Sequence, residues 1–301
     1  MRTKLFALSV LAVVGIAVSA HAQYWGLQAP GRALSGMGVV EYQSRDWAQC
    51  TGGEPAPPQR AISACGRIIG ERDSRDSTAN ALYYRSVLYR AQGDITRADA
   101  DVDRALELLQ ALVIAEPDDP DYLNNLLFLR TSRNDFVGAA RDLGRIAGRR
   151  PQDVDVRLSI GTYYFRARDY QNAAIAFDNA AQLDPSSAQA QAGRCEARAA
   201  ANYQIETAQQ ACAEALRLSD QSASALFSRG FLYFRQGRVE DALADFHAAG
   251  EKDNTHPFAA YGYAVSCIRL GRREDQARAL LESVSAAVPE VEMYAQAGMA
   301  P

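Results

Sequence analysis

The sequence has few of the residues from which catalytic and metal sites are usually built. Its 301 residues include three histidines, of which only His247 and His256 lie beyond the N-terminal segment. Their nine-residue spacing does not put them on one helical face at metal-binding distance, and no HExxH, paired CxxC or EF-hand pattern occurs. A Walker lysine loop and a dinucleotide-binding glycine pattern are also missing, and Ser35 lacks the flanking glycines of a nucleophile elbow. We therefore expect no enzymatic activity, no cofactor and no metal.

Lysine is almost absent, since Lys4 and Lys252 are the only two in the chain. Arginine carries the positive charge, and the arginines are interspersed with acidic residues. The net charge of −4 becomes −6 if residues 1–22, with their two basic residues, are removed. Nucleic-acid binding needs clustered positive charge, so a nucleic-acid partner is not expected.

Residues 1–22 have the pattern of a secretory signal peptide. Arg2 and Lys4 precede an apolar run over residues 5–18, and Ala20 and Ala22 form a small-x-small cleavage site. The apolar run of about 14 residues is shorter than the roughly 20 that a membrane-spanning helix needs, and no later segment is long and apolar enough. We expect cleavage after Ala22 and a periplasmic protein without an integral membrane span; the alternative is a retained N-terminal anchor.

The rest of the chain contains an internal repeat. Residues 161–185 read GTYYFRARDYQNAAIAFDNAAQLDP, and residues 229–254 read RGFLYFRQGRVEDALADFHAAGEKDN; residues 85–108 follow the same pattern. Six alanines occupy one register with gaps of 41, 34, 35, 34 and 35 residues: Ala98, Ala139, Ala173, Ala208, Ala242 and Ala277. A recurring period of this length predicts stacked supersecondary units, each of which buries its apolar face on its neighbours.

This pattern resembles the tetratricopeptide repeat family, whose unit is a 34-residue helix–turn–helix. The resemblance implies an all-α, right-handed α-solenoid with a capping half-repeat and linker at 57–78 and six repeats at 79–289. Outside the repeats, we expect the signal peptide at 1–22, an irregular segment at 23–56 and a frayed tail at 290–301. The 41-residue gap adds seven residues, about two helical turns, to the second helix of the first repeat, near residues 106–116. The resemblance further implies small residues where the paired helices approach, such as Gly161 and Gly230, beside the large Phe177 and Phe246.

The five cysteines are predicted to form two disulfides. By the resemblance, Cys195 and Cys212 face each other across the helices of one repeat, and a bridge there needs no backbone movement. Cys50 and Cys65 bracket a proline-rich loop, and a bridge would tie the N-terminal segment to the half-repeat. Oxidising conditions outside the cytoplasm would preserve such pairs; the alternative is that these cysteines are small apolar fillers. Cys267 is left as a buried free thiol.

One charge pairing recurs at the same register of two repeats. Arg85 precedes Asp101 by 16 residues, and Arg229 precedes Asp245 by 16 residues. The resemblance places each pair on the two facing helices of its repeat, which predicts an ion pair. The alternative is that the four charges are solvated independently.

The resemblance also implies a binding surface, because the inner positions of this family lie on the first helix of each repeat. Mapped onto this sequence, these groove residues are Tyr83, Val87, Arg90, Asn124, Phe128, Leu158, Thr162, Phe165, Arg166, Phe227, Phe231, Phe234, Arg235, Phe258, Tyr261 and Arg269. Solvent-facing aromatics and arginines are typical of interaction sites. We therefore expect these residues to bind apolar and acidic groups of a peptide; the alternative is that Phe227, Phe231 and Phe234 pack against the next repeat or a C-terminal cap.

Together these features predict a non-catalytic scaffold of the bacterial cell envelope that binds a protein or peptide in its concave groove. Two alternatives remain open at this level, a structural subunit of an envelope assembly and an accessory to a cell-wall enzyme. A repeat fold does not identify its ligand.

Overall fold

The computed structural model describes residues 44–71, 74–117 and 119–301. In these residues the regular structure is helical throughout: fifteen α-helices and one 3₁₀ helix, Pro289–Val291. The α-helices are α1 (Arg45–Thr51), α2 (Pro58–Glu71), α3 (Arg75–Ala91), α4 (Ile95–Ala115), α5 (Pro120–Ser132), α6 (Phe136–Arg149), α7 (Val154–Arg166), α8 (Tyr170–Leu183), α9 (Ala188–Ala201), α10 (Ile205–Leu218), α11 (Ala223–Arg235), α12 (Val239–Lys252), α13 (Pro257–Arg269), α14 (Glu274–Ala287) and α15 (Glu292–Gln296). The fold is an all-α solenoid of helix–turn–helix repeats, as the sequence predicts. The expected signal peptide lies outside the described residues.

The described helices divide into two compact units, residues 44–142 and residues 143–301, with the boundary inside α6. In the first unit, each of α1 to α4 packs against the helix that follows it. In the second unit, successive helices from α7 to α14 pack in the same way. The first helices of its repeats, α7, α9, α11 and α13, also contact one another in order. They form a continuous surface, which we call the first-helix face.

N-terminal capping residues begin the helices, and residues in the left-handed conformation form the turns between them. Serine or aspartate caps most first helices; for example, Asp153 accepts a hydrogen bond from the amide of Val156, and Ser187 accepts one from Ala190. The turn between paired helices needs a left-handed residue, which is Gly237 at φ 75° in one repeat and Arg168 at φ 62° in another. Glycine adopts this conformation without strain, whereas arginine does not.

Two large rings on second helices of the second unit, Phe177 and Phe246, are each held between two glycines. A β-carbon added to Gly161 would lie 2.7 Å from the ring of Phe177, and one added to Gly193 would lie 2.5 Å from it. Real side chains do not approach so closely, so both positions must be small. This confirms the predicted contact between Gly161 and Phe177. It also shows a second contact of the ring that was not predicted, with Gly193, which lies 16 residues after Phe177. Phe246 is enclosed in the same way by Gly230 and Gly262.

The second helix of the first repeat is extended, as the 41-residue gap predicts. Helix α4 has 21 residues, whereas the other second helices, α6, α8, α10, α12 and α14, have 14 each. Ile114, near its end, is 53% exposed. No helix in the described part of the chain has the length and apolar content to cross a bilayer.

The described end of the segment at 23–56 is not irregular, so that prediction is wrong for α1. Ser44 caps this helix by accepting a hydrogen bond from the amide of Trp47, and the Trp47 side chain is buried. Helix α1 packs against α2, which lies in the predicted half-repeat. The physical reason is that Trp47 and Cys50 supply an apolar side that the lone α2 can cover.

Both cysteine pairs lie at disulfide distance, which confirms the predicted pairing. Cys50 and Cys65 join α1 to α2 with a Cα–Cα distance of 4.9 Å. Cys195 and Cys212 join α9 to α10 with a Cα–Cα distance of 5.3 Å. Cys267 is free and buried.

The two predicted ion pairs are also confirmed. Arg85 donates two hydrogen bonds of 2.7 Å to the carboxylate of Asp101, and Arg229 donates two of 2.7 Å to Asp245. Both aspartates are buried, at 7% and 6% exposure. The forked geometry matches a guanidinium to a carboxylate, and it ties the two helices of each repeat together.

Candidate functional site

The apolar and hydroxyl-bearing groove residues predicted in the second unit do not face solvent. Eight of them are at most 5% exposed: Leu158, Thr162, Phe165, Phe227, Phe231, Phe234, Phe258 and Tyr261. The expectation of a solvent-facing aromatic row is therefore wrong in this unit. The alternative of packing against the next repeat is confirmed for Phe227, whose ring contacts that of Phe258 at a centroid distance of 5.9 Å. The same ring also contacts that of Tyr294, near the C-terminus, at 4.8 Å.

The end of the chain covers the first-helix face. We call residues 289–301 the C-terminal segment; it begins with the 3₁₀ helix and continues through α15. Its side chains Val291, Tyr294 and Met299 are at most 1% exposed, and they join one apolar cluster with the rings of the face. The prediction of a frayed tail at 290–301 is therefore wrong. Burial of this apolar surface stabilises the docked position of the segment.

Tyr294 is the centre of this contact. Its ring lies among four phenylalanine rings, with centroid distances of 4.8 Å to Phe227, 5.2 Å to Phe231, 5.3 Å to Phe258 and 5.6 Å to Phe165. Three of the four contacts are edge-to-face, the arrangement that aromatic quadrupoles favour. The rings come from α7, α11 and α13, so one side chain touches three repeats.

A buried carboxylate accepts a hydrogen bond from the hydroxyl of this tyrosine. Tyr294 donates a 2.6 Å hydrogen bond to Oε2 of Glu196, and the Ser228 hydroxyl donates one of 2.5 Å to Oε1. Glu196 lies on α9 and is 1% exposed. A carboxylate at such a position is costly unless hydrogen-bond donors meet it, and each of the two hydroxyls lowers that cost.

The remainder of the C-terminal segment is held by backbone contacts. The Tyr261 hydroxyl donates a 3.1 Å hydrogen bond to the carbonyl of Met299, and burial raises the pKa of Tyr261 to about 12. Gly298 has φ 96°, and a side chain there would also meet the guanidinium of Arg235. Arg235 itself donates to the carbonyl of Ala199 on α9, at 3.1 Å. Glycine is therefore the residue that this turn of the segment requires.

The predicted arginines lie at the edges of the covered face. Arg166 is half-buried; burial lowers its pKa, and the nearby carboxylate of Glu290, in the C-terminal segment, opposes that shift. The Arg269 guanidinium lies 5.6 Å from the ring centroid of Phe234 and is exposed. The segment thus brings the negative charge of Glu290 near the guanidinium of Arg166.

In the first unit, the corresponding residues are more accessible. The rings of Tyr83 and Phe128, on α3 and α5, meet edge to face at 5.4 Å and are half-buried. Val87 is 47% exposed, and Asn124 is exposed. The Arg90 side chain is 53% exposed and pairs with Asp99 at 2.8 Å. These residues form an apolar and cationic surface on first helices.

The sequence reasoning missed Tyr294 and Glu196. A signal was present for the first, because Val291, Tyr294 and Ala297 recur every three residues, which is a helical spacing. No sequence pattern pairs two residues that lie 98 positions apart. Among the described residues, no cluster of three histidine, cysteine, aspartate or glutamate side chains has a geometry that would hold a metal ion.

Two family models match the chain. The tetratricopeptide repeat model matches residues 129–188, and the model for subunit 3 of the anaphase-promoting complex, or cyclosome, matches residues 201–284. No curated protein matches the sequence.

Solved structures with the same fold have low sequence identity to this chain. A tetratricopeptide repeat protein from Parabacteroides merdae is 13% identical with a TM-score of 0.52, over 90% of this chain and 99% of that one. A thermophilic protein of the same kind from Thermus thermophilus is 19% identical with a TM-score of 0.45, over 63% of this chain and 99% of that one. At these identities the similarity concerns the fold.

Proposed function

This chain is a tetratricopeptide repeat protein, and we propose that it is a non-catalytic scaffold of the cell envelope that binds peptide segments of a partner on the first helices of its repeats. The partner is a protein or peptide. In this proposal, the groove residues of both units bind the partner, and nucleic acid is not a ligand.

One observation carries the proposal: the first-helix face already binds a peptide segment, which is supplied by the chain itself. Residues 289–301 bury Tyr294 and Met299 against this face, with an acidic residue, Glu290, near Arg166. A surface that accommodates one apolar, acidic segment has the chemistry to accept a similar one from a partner. In the first unit, the surface around Tyr83 and Val87 offers aromatic, aliphatic and cationic groups of the same kind.

Two features support the proposed location. Residues 1–22 have the composition of a secretory signal peptide, and both cysteine pairs lie at disulfide distance. Disulfides persist in oxidising compartments such as the periplasm and are rare in the cytosol. An exported scaffold would carry both features.

A second candidate function has one observation in its favour. The extended α4 carries Ile114 at 53% exposure, and an apolar side chain on an extended helix is suited to packing within a larger assembly. In that case the chain is a structural subunit, and its contacts run through α4 and not through the first helices.

Site-specific photo-cross-linking in the native cells separates these functions. A photoreactive amino acid is placed at Val87 on a first helix, at Ile114 on the extension, or at Ile175, which is 57% exposed on a second helix. We expect one discrete protein adduct from position 87 and none from positions 114 and 175. An adduct from position 114 alone would support the structural subunit, and the absence of any adduct from position 87 would contradict the proposed scaffold.

A further inference from the structure

We propose that the C-terminal segment is a displaceable internal ligand, and that the first-helix face takes from a partner a peptide that presents a tyrosine hydroxyl to Glu196. This inference rests on the proposed function and names the ligand chemistry of its second unit. It involves binding only, with no covalent step.

The segment is placed as a ligand and not as an end cap. A cap that shields the last repeat needs to contact α13 and α14 alone. Tyr294 instead contacts rings on α7, α11 and α13, and its hydroxyl reaches Glu196 on α9. The segment thus reaches the first helices of all four repeats in the unit, as a bound peptide would.

The segment is also short, and its helix cannot be stable by itself. Helix α15 has five residues, well below the roughly 12–15 at which an isolated helix becomes marginally stable in water. Its order depends on the contacts of Tyr294 and Met299 with the face. Its advantage over a free peptide of the same sequence is its attachment to α14, which corresponds to an effective concentration of roughly millimolar. A partner segment displaces it when the ratio of its concentration to its Kd exceeds that of the tethered segment, so at micromolar concentration it needs about 1,000-fold higher intrinsic affinity.

Glu196 determines which side chain the face accepts. When the segment leaves, Oε2 of this buried carboxylate loses the hydroxyl of Tyr294, while Oε1 keeps that of Ser228. A replacement side chain must fill the space among four phenylalanine rings and also bring a donor to Oε2. Tyrosine does both, whereas phenylalanine fills the space and leaves the acceptor without that donor. A hydrogen bond to a charged group corresponds to a preference for tyrosine of about 10- to 100-fold in affinity.

The test uses the full-length protein and a fluorescent peptide with the sequence of residues 287–301, AVPEVEMYAQAGMAP. Gly298→Val is the opening variant, because φ 96° strains any branched side chain, and the added side chain would also displace the guanidinium of Arg235. This change leaves every residue of the face intact. Ala300→Val is the matched control, since Ala300 lies in the same segment and is exposed.

We expect the peptide to bind Gly298→Val at least 10-fold more tightly than it binds the wild type or Ala300→Val. The same peptide with phenylalanine in place of tyrosine should bind Gly298→Val at least 10-fold more weakly. Equal binding to all three proteins would show that the segment is a fixed part of the fold, and equal affinity for the two peptides would remove the assigned role of Glu196.

Hydrogen exchange of the wild-type protein provides a test without any variant. Amides 293–299 should exchange through a local opening at least 100-fold faster than the slowest amides of α11. Exchange of both regions at the same rate would overturn the proposal. These measurements use defined peptides, so a failure here leaves cross-linking at Val87 unaffected, and a failure of that cross-linking leaves peptide displacement unaffected.

Discussion

The hydroxyl of Tyr294 donates a hydrogen bond to the carboxylate of Glu196, which lies 98 residues earlier in the chain. The two residues lie on a short C-terminal helix and on the first helix of another repeat. Both residues are buried, so their hydrogen bond helps to hold the C-terminal segment against the first-helix face.

Replacing Tyr294 with phenylalanine should lower the free energy of unfolding by about 1–3 kcal/mol, since a buried charged acceptor loses one of its donors. Urea unfolding followed by circular dichroism measures this change. Tyr203→Phe is the control, because the Tyr203 side chain is 54% exposed and its loss of a hydroxyl should have little effect. Equal effects of the two variants would contradict the role of the Glu196 contact.

Replacing Gly193 with alanine should cost about 1–3 kcal/mol, because the new methyl group would lie 2.5 Å from the ring of Phe177. Gly250→Ala is the same change on α12, at a position with no atom within 4 Å of the added β-carbon. That control should be neutral or stabilising by up to about 1 kcal/mol, since alanine has the higher helix propensity. Thermal unfolding compares them, and a neutral Gly193→Ala would mean that Phe177 can move aside.

The second unit should lose stability as the solution becomes acidic, because of His256. Burial lowers the pKa of His256 from its ordinary 6.5 to about 4, with the charge of Asp253 opposing the shift. The neutral imidazole is thus favoured in the folded state. The contribution of His256 to the free energy of unfolding is therefore fully present above pH 6.5 and is lost as the pH falls towards 4. A shift of this size corresponds to about 3 kcal/mol.

The control for this prediction is His256→Asn. Asparagine can still accept the hydrogen bond that Nδ1 of His256 receives from the amide of Ala259 at the start of α13, but it does not titrate. His247 is exposed and remains in both proteins. Urea unfolding between pH 7 and pH 4 should show a smaller loss of stability in the variant, and identical slopes would contradict the assignment to His256.

The turn residues at positive φ allow a reciprocal exchange. Arg168→Gly should stabilise the protein by up to about 1 kcal/mol, and Gly237→Arg should destabilise it by about 1–2 kcal/mol. The second change tests backbone strain alone, since no atom lies within 4 Å of a β-carbon at Gly237. Melting temperatures should shift in opposite directions, and a shift in the same direction would show that side-chain contacts dominate at these turns.

Alkylation under non-reducing, denaturing conditions should label Cys267 alone. Both predicted pairs are joined, and Cys267 is the remaining thiol. Burial raises the pKa of Cys267, so its labelling should require unfolding of the protein. Reduction should lower stability by about 3 kcal/mol for each bridge in the chain-entropy model. Labelling of Cys50 or Cys195 in protein recovered from cells would contradict the oxidising compartment.

Much of the fold was predictable because its determinants repeat. The alanines at one register, the Gly161–Phe177 contact and the Arg85–Asp101 pair all act within one helical pair, and their spacing in sequence therefore reports their distance in space. The cysteine pairs are separated by 15 and 17 residues, so they too are local. The 41-residue gap was interpretable for the same reason, because seven added residues restore the helical phase of α4.

The candidate site was only partly predictable. The residues of the first-helix face were identified from the repeat register. Their exposure could not be predicted in this way, because the register gives no information about segments outside the repeats. Phe231 occupies an inner position and is nevertheless fully buried, since Tyr294 covers it.

By itself, the sequence determined the helical repeats and their pairing, and it predicted the two disulfides and the ion pairs of single repeats. Only the tertiary structure decided that the C-terminal segment returns to the first-helix face and that Tyr294 meets Glu196 there. The physical reason is the range of the interactions. Contacts within a repeat recur with the period of the sequence, whereas the docking of a chain end is a single long-range event, driven by apolar burial that has no period.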